Sequence, residues 1–172
     1  MNSIKEELIT YLNSYIGSKT KLGIAANSLN FTFDSNDFLY MNPLWRYEYE
    51  DKVIMTSYDF MSYPDDNLED DQLKEAKVKY ENDFTTRCRQ LRNVFDGIKL
   101  ENYVLSKNFD LTLTFSNDHI VKQFHDNTIP QEQGNDVSYL DSGWVLFTSQ
   151  VDFLGFADKI EKHKHNKDKE AF

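Results

Sequence analysis

The chain has 172 residues, 40% hydrophobic and 15% aromatic, and its 29 acids against 19 bases leave a net charge of -10. Thirteen Phe, ten Tyr and two Trp exclude a disordered chain, no apolar run approaches the ~20 residues of a membrane-spanning helix, and the acidic balance excludes free nucleic acid, whose phosphates reward basic surfaces. The length fits one domain; the lone Cys88 cannot close an internal disulfide, and Met1–Glu7 carries acids where a secretory signal has base and apolar block, so a cytoplasmic location is expected.

The first predicted element is a helix over residues 3–15. Ile4, Leu8, Leu12 and Ile16 step by four, with Tyr11 and Tyr15 beside them. Ser3, with Glu6 or Glu7 behind it, reads as its N-cap. After Gly17-Ser18-Lys19 come Leu29, Phe31 and Phe33, alternating with Asn30, Thr32 and Asp34, the period of a strand with one buried face. Ser35-Asn36-Asp37 predicts a tight turn, and Phe38 to Met41 the returning strand. Trp45 opens a further strand. Arg46-Tyr47-Glu48-Tyr49, a turn at Glu50-Asp51, and Lys52-Val53-Ile54-Met55 predict another hairpin.

Residues 67–95 predict a long helix on the stripe Leu73, Ala76, Tyr80, Phe84, Cys88, Leu91, Phe95. It opens with acids, closes with Arg87, Arg89 and Arg92 in keeping with the helix dipole, and ends at Gly97. The order of the first half then recurs. Gly97-Ile98-Lys99 is followed by Leu111, Leu113 and Phe115, by Ser116-Asn117-Asp118-His119, by a return strand from Ile120 to Phe124, by Trp144, and by Val151-Asp152-Phe153 in answer to Tyr58-Asp59-Phe60. From the glycine to the last Phe of the triplet is 16 residues in one copy and 18 in the other. The expected fold is therefore α+β, a mainly antiparallel sheet with flanking helices. Two related halves, about 1–63 and 67–157, share one core in a single domain over 1–157, because neither is large enough to bury its own face. Each hairpin is expected to be extended by the strand carrying its own Trp. Residues 127–143, with Pro130 and Gly134, read as a long loop, and 158–172 as a charged, frayed tail.

No chemistry is written in motifs. There is no phosphate-binding glycine loop, nucleophile elbow, HExxH or paired CxxC, so no catalytic residue, metal site or cofactor is assigned and the expectation is a non-enzyme. His163 and His165 would face apart on a helix, and their segment does not read as a strand. His119 and His125 flank a return strand and could meet Asp118 or Asp126, which suits a turn as well as a base. Cys88 lies in the apolar register of its helix. Trp45 and Trp144 take corresponding places in the repeat, as seam fillers or as interface anchors.

Charge is the remaining signal. Residues 1–72 hold 13 acids and 5 bases. Glu48, Glu50 and Asp51, then Asp65, Asp66, Glu69, Asp70 and Asp71, are relieved within that span only by Lys52. These acids serve solubility and helix capping, or they complement a basic partner by steering its approach, with Tyr47, Tyr49, Tyr58 and Tyr63 as rigid contact area. The run from Phe38 to Arg46, a strand ending in Pro-x-Trp-Arg, resembles a motif of small bacterial proteins, as do Leu111 to Asn117 and Trp144 to Phe147. The similarity spans roughly residues 17–153. Proteins of that kind are placed with polymorphic toxin systems as immunity proteins, so the resemblance implies a binding role and carries over no functional residue. The expected function is an acidic inhibitor that occludes a basic toxin, a nuclease being one class, through residues 48–71. Its rivals are a phage-type nucleic-acid mimic directed at a DNA-binding defence protein, and an enzyme of unrecognised type, for which a deep pocket joining His119 or His125 to a buried carboxylate would be the sign. No pattern specifies an oligomeric state.

Overall fold

The computed structural model describes residues 3–42, 44–60, 68–125 and 142–165. Helix α1 (Ile4–Ser14) begins in a reciprocal capping box between Ser3 and Glu6. It leads into strands β1 (Thr20–Ala25), β2 (Ser28–Phe33) and β3 (Phe38–Met41), then β4 (Trp45–Tyr49) and β5 (Lys52–Thr56), and a short 3-10 turn over Ser57–Phe60. Helix α2 (Asp70–Phe95) starts the second half, followed by β6 (Leu100–Leu105), β7 (Leu111–Phe115), β8 (His119–Gln123), β9 (Trp144–Phe147), β10 (Val151–Gly155) and β11 (Ile160–Lys164). Every pairing is antiparallel, in two sheets ordered β1-β2-β3-β9-β10-β11 and β5-β4-β8-β7-β6.

The halves are related by an approximate two-fold. Gly17 donates to Leu100 O and Gly97 to Thr20 O, both at 2.7 Å, while Thr20 donates to Ile98 O and Leu100 to Ser18 O. Lys19 and Lys99 face each other on that axis. Both glycines end a helix at positive φ, 88° and 82°, which a side chain resists. Trp45 donates its indole N–H to Asn27 O and Trp144 to Phe109 O, each in the turn between the first two strands of a half.

The Trp strands correct the sequence expectation. Neither extends its own hairpin. Strand β9 pairs with β3, setting Trp144 opposite Met41, and β4 pairs with β8, setting Trp45 opposite Gln123. Each half thus completes the other half's sheet. The Ser-Asn-Asp motifs also slip by one. Phe33 donates to Asp37 O, whereas Phe115 pairs with His119, so His119 occupies the place of Asp37. Tyr58-Asp59-Phe60 and Val151-Asp152-Phe153 are not counterparts, the first being a 3-10 turn and the second part of β10.

One core lies between the inner faces of the sheets and the helices. Leu8, Leu12 and Tyr15 of α1 and Cys88, Leu91 and Phe95 of α2 are buried in it. Phe95 sits 5.1 to 5.5 Å from the rings of Phe31, Tyr47 and Phe115. The predicted helical stripes are narrower than expected. Ile4 and Ile16 are exposed, and Leu73, Ala76, Tyr80 and Phe84 are only partly covered. Val145, Leu154 and Phe156 form a small second cluster with Tyr40 and Phe147. The predicted tail is also corrected. Ile160–Lys164 is an edge strand beside α1, where Lys162 ion-pairs with Glu7. Residues 126–141, which hold most of the predicted loop, and 166–172 lie outside the described residues. Among the described residues no helix is long and apolar enough to cross a membrane.

Candidate protein-binding surface

Strand β4 carries large residues on both faces. Trp45 and Tyr47 point into the core, and Glu48 faces outward at a strand centre. The hairpin closes through Tyr49 opposite Lys52, which leaves Glu50 and Asp51 as a two-residue turn with φ of 49° and 58°. Two positive φ values define the I′ turn that suits the right-handed twist of the strands. The register slips between Tyr47 and Glu48, so Met55 returns to the core while Val53 and Ile54 both stay in solvent. The following turn is held by Asp59, whose carboxylate accepts from Thr56 N and Oγ1 at 2.7 and 3.0 Å. Phe60 packs against Trp45 and Phe84, and Arg87 and Tyr80 of α2 donate to the carbonyls of Asp59 and Phe60.

The predicted site residues divide on this frame. Glu50 and Asp51 are exposed at the hairpin tip with no ion pair among the described residues, and Tyr58 is 64% exposed. Glu69 and Asp70 are exposed at the start of α2, where Asp70 and Asp71 complement the helix dipole. Tyr49 is half-buried and stacks on His119 with centroids 4.6 Å apart. Tyr47 and Glu48 are corrections. Tyr47 is only 4% exposed, its hydroxyl 2.9 Å from His119 Nδ1, and burial, seconded by Tyr49, pushes its pKa up. Glu48 is 9% exposed and lies between Lys122, at 2.7 Å, and Arg46. Burial alone would raise its carboxyl, but the hydrogen bond and charge of Lys122, with Arg46, outweigh it and hold the group below the ordinary value. An acid already neutralised from two sides adds little to an outward field. Asp65, Asp66 and Tyr63 lie outside the described residues.

The histidines are placed by structure. His119 ties the β7–β8 turn to Tyr47, as its counterpart Asp37 ties the β2–β3 turn to Tyr15. It lines an open cleft of about 550 Å³ with Asn93, Asp96, Gly97 and Lys99, where the Asp96 carboxylate accepts from Leu22 N at 2.7 Å. Among the described residues, His125 meets Asp110 and not Asp118. Its Nδ1 faces Asp110 at 3.1 Å and its Nε2 faces Gly155 O at 2.9 Å, so it clamps the β6–β7 turn to the end of β10. His163 lies in β11 and His165 one residue past its end, so their segment is largely a strand after all, and they contact Glu161 and Asp152 respectively. Among the described residues no three His, Cys, Asp or Glu side chains are grouped to hold a metal. Cys88 is buried and its thiol is pushed up by burial, against the weaker pull of Arg92. Both tryptophans are core residues, as seam fillers.

Sequence reasoning missed the partners of Glu48 and His125. Lys122 and Asp110 are 74 and 15 residues away from them, and only the alternation of Arg46, Glu48 and Lys122 onto one sheet face hinted at the first. Comparison of the chain with protein-family models, curated proteins and solved structures finds no match.

Proposed function

We propose that this chain is a non-enzymatic, cytoplasmic binding protein, an immunity-type inhibitor whose acidic hairpin tip occludes a basic toxin, a nuclease being one class. The observation that carries the reading is the pair Glu50 and Asp51. Positions with φ of 49° and 58° favour Asn, Asp and Gly, so Asp51 suits the turn, whereas Glu50 loses roughly 1–2 kcal/mol there. An exposed Glu at such a tip is hard to ascribe to folding, and together the two place adjacent carboxylates in solvent. Tyr58, beyond the other end of β5, offers an exposed aromatic side chain at low entropy cost. The resemblance to immunity proteins of toxin systems points the same way.

His119 and His125 are each tied into the fold by hydrogen bonds, to Tyr47 and to Asp110 and Gly155, which supports a structural role for both. The test is stopped-flow association with a candidate basic toxin, from about 0.02 to 0.5 M salt. The rate is expected to fall by one to three orders of magnitude across that range, and E50Q/D51N is expected to remove most of the dependence. A rate indifferent to salt overturns the reading.

A further inference from the structure

The two sheets end in four edge strands, and they are treated differently. Strands β1 and β6 meet each other at the pseudo-dyad through Lys19 and Lys99. Strand β11 carries Glu161, Lys162, His163 and Lys164, and Lys162 binds it to α1. Charge and cover of this kind are how sheets avoid pairing at an edge. Strand β5 has a single charge, Lys52, and among the described residues no strand but β4 pairs with it. It reads Lys52-Val53-Ile54-Met55-Thr56, with Val53 55% and Ile54 50% exposed. Beyond its ladder to β4, no main-chain bond reaches Lys52, Val53, Ile54 or Met55 among the described residues. In a two-residue hairpin the pair flanking the turn exchanges both bonds, so the next residue, Val53, turns its N–H and C=O outward.

We infer that β5 is a strand-pairing edge, and that its occupant is an extended segment of a basic protein, apolar at its centre with Lys or Arg at its flanks. This rests on the reading of an acidic inhibitor and names the structural mode of its contact. Main-chain bonds to an exposed edge give such recognition its affinity, and alternate side chains give it specificity. Charge selects the occupant. Glu50 and Asp51 stand at one end of β5 and Asp59 beyond the other, with Lys52 the one cation of the strand. A second copy pairing antiparallel about Ile54 would set Asp59 against Tyr49 and Asp51 against Ser57, gathering Glu50, Asp51 and the other copy's Asp59 around a single Lys52 at each end. A strand with basic flanks meets an acid at each end instead.

The test titrates the full, isotopically labelled chain with three acetylated peptides and follows the backbone amides. The probe is Lys-Arg-Val-Thr-Val-Thr-Val-Lys-Arg, the second carries N-methyl groups on alternate residues of that sequence, and the third replaces every base by Glu. The first is expected to shift the amides of residues 52–56. Its affinity should fall about tenfold or more between low and physiological salt, and by a similar factor on N-methylation. The acidic peptide should leave the spectrum unchanged. V53T/I54T keeps β-branching and the ladder and should weaken binding several-fold, and V53K/I54K should abolish it. Shifts that map elsewhere, or an N-methylated peptide that binds equally well, overturn the inference. So does concentration-dependent self-association that shifts the same amides without peptide, which would make a second copy the occupant. If E50Q/D51N weakens the peptide while V53T/I54T and N-methylation do not, the acidic inhibitor stands and strand pairing falls. If E50Q/D51N changes nothing and the acidic peptide binds as tightly as the basic one, both fall.

Discussion

Glu50 and Asp51 lie at positions where stability and binding pull in opposite directions. Replacing them by Asn and Gly relieves the strained φ of Glu50 and puts the most permissive residue at 51, so E50N/D51G is expected to raise stability by about 1–2 kcal/mol in urea unfolding while slowing association with a basic partner. Loss of stability instead would mean that the acids hold the hairpin together. His119 supplies a pH signature. Burial lowers its pKa from the ordinary 6.5, with Asp118 opposing weakly. The folded protein therefore takes up this proton later than the unfolded chain does, so the contribution is intact above about pH 6.5 and is lost as pH falls through the lower folded value. Urea midpoints should decline between pH 7 and 5, and H119Q should flatten that decline. Little of this was legible residue by residue. The acids at 48, 50 and 51 look alike in the sequence, and only the cross-strand neighbour Lys122 separates the internal one from the two at the tip.

Helix α2 shows what periodicity tells and what it leaves out. The stripe from Leu73 to Phe95 was legible because helical spacing depends on local geometry alone. The depth of its burial was not, since that depends on how far the sheets extend. A 26-residue helix runs about 39 Å, roughly twice the length of a typical strand, so only Cys88, Leu91 and Phe95 reach the core. Leu91→Ala is expected to cost about 2–5 kcal/mol, and Val78→Ala, on the projecting half, less than about 0.5 kcal/mol. Comparable losses at both sites would mean that the outer turns are packed against something in solution. The β4–β5 hairpin was the most legible element, because both its strands and its turn are set within a dozen residues.

At the scale of the whole molecule, the repeat could be read from the sequence but its wiring could not. Alternation shows that a segment is a strand and names its inner face, and it is silent on which strand lies beside it. Any of several hairpins could have accepted Trp45. The choice was made by the shared core, in which Phe31, Phe95 and Phe115 from both halves meet. The exchange makes the halves interdependent. Fragments 1–63 and 67–172, made separately, are each expected to lack cooperative thermal unfolding by circular dichroism and to regain it on mixing. Cooperative melting of either fragment alone would show that its sheet stands without the borrowed strand.

That borrowed strand also sets a delay during synthesis. Met41 must wait for Trp144 to leave the ribosome before its side of the ladder is filled, an interval of about 5–20 s at ordinary elongation rates. Throughout it, the nascent chain holds a half-built apolar sheet open to its surroundings. A chain that stops short of β9 is expected to leave the free edge of β3 unpaired.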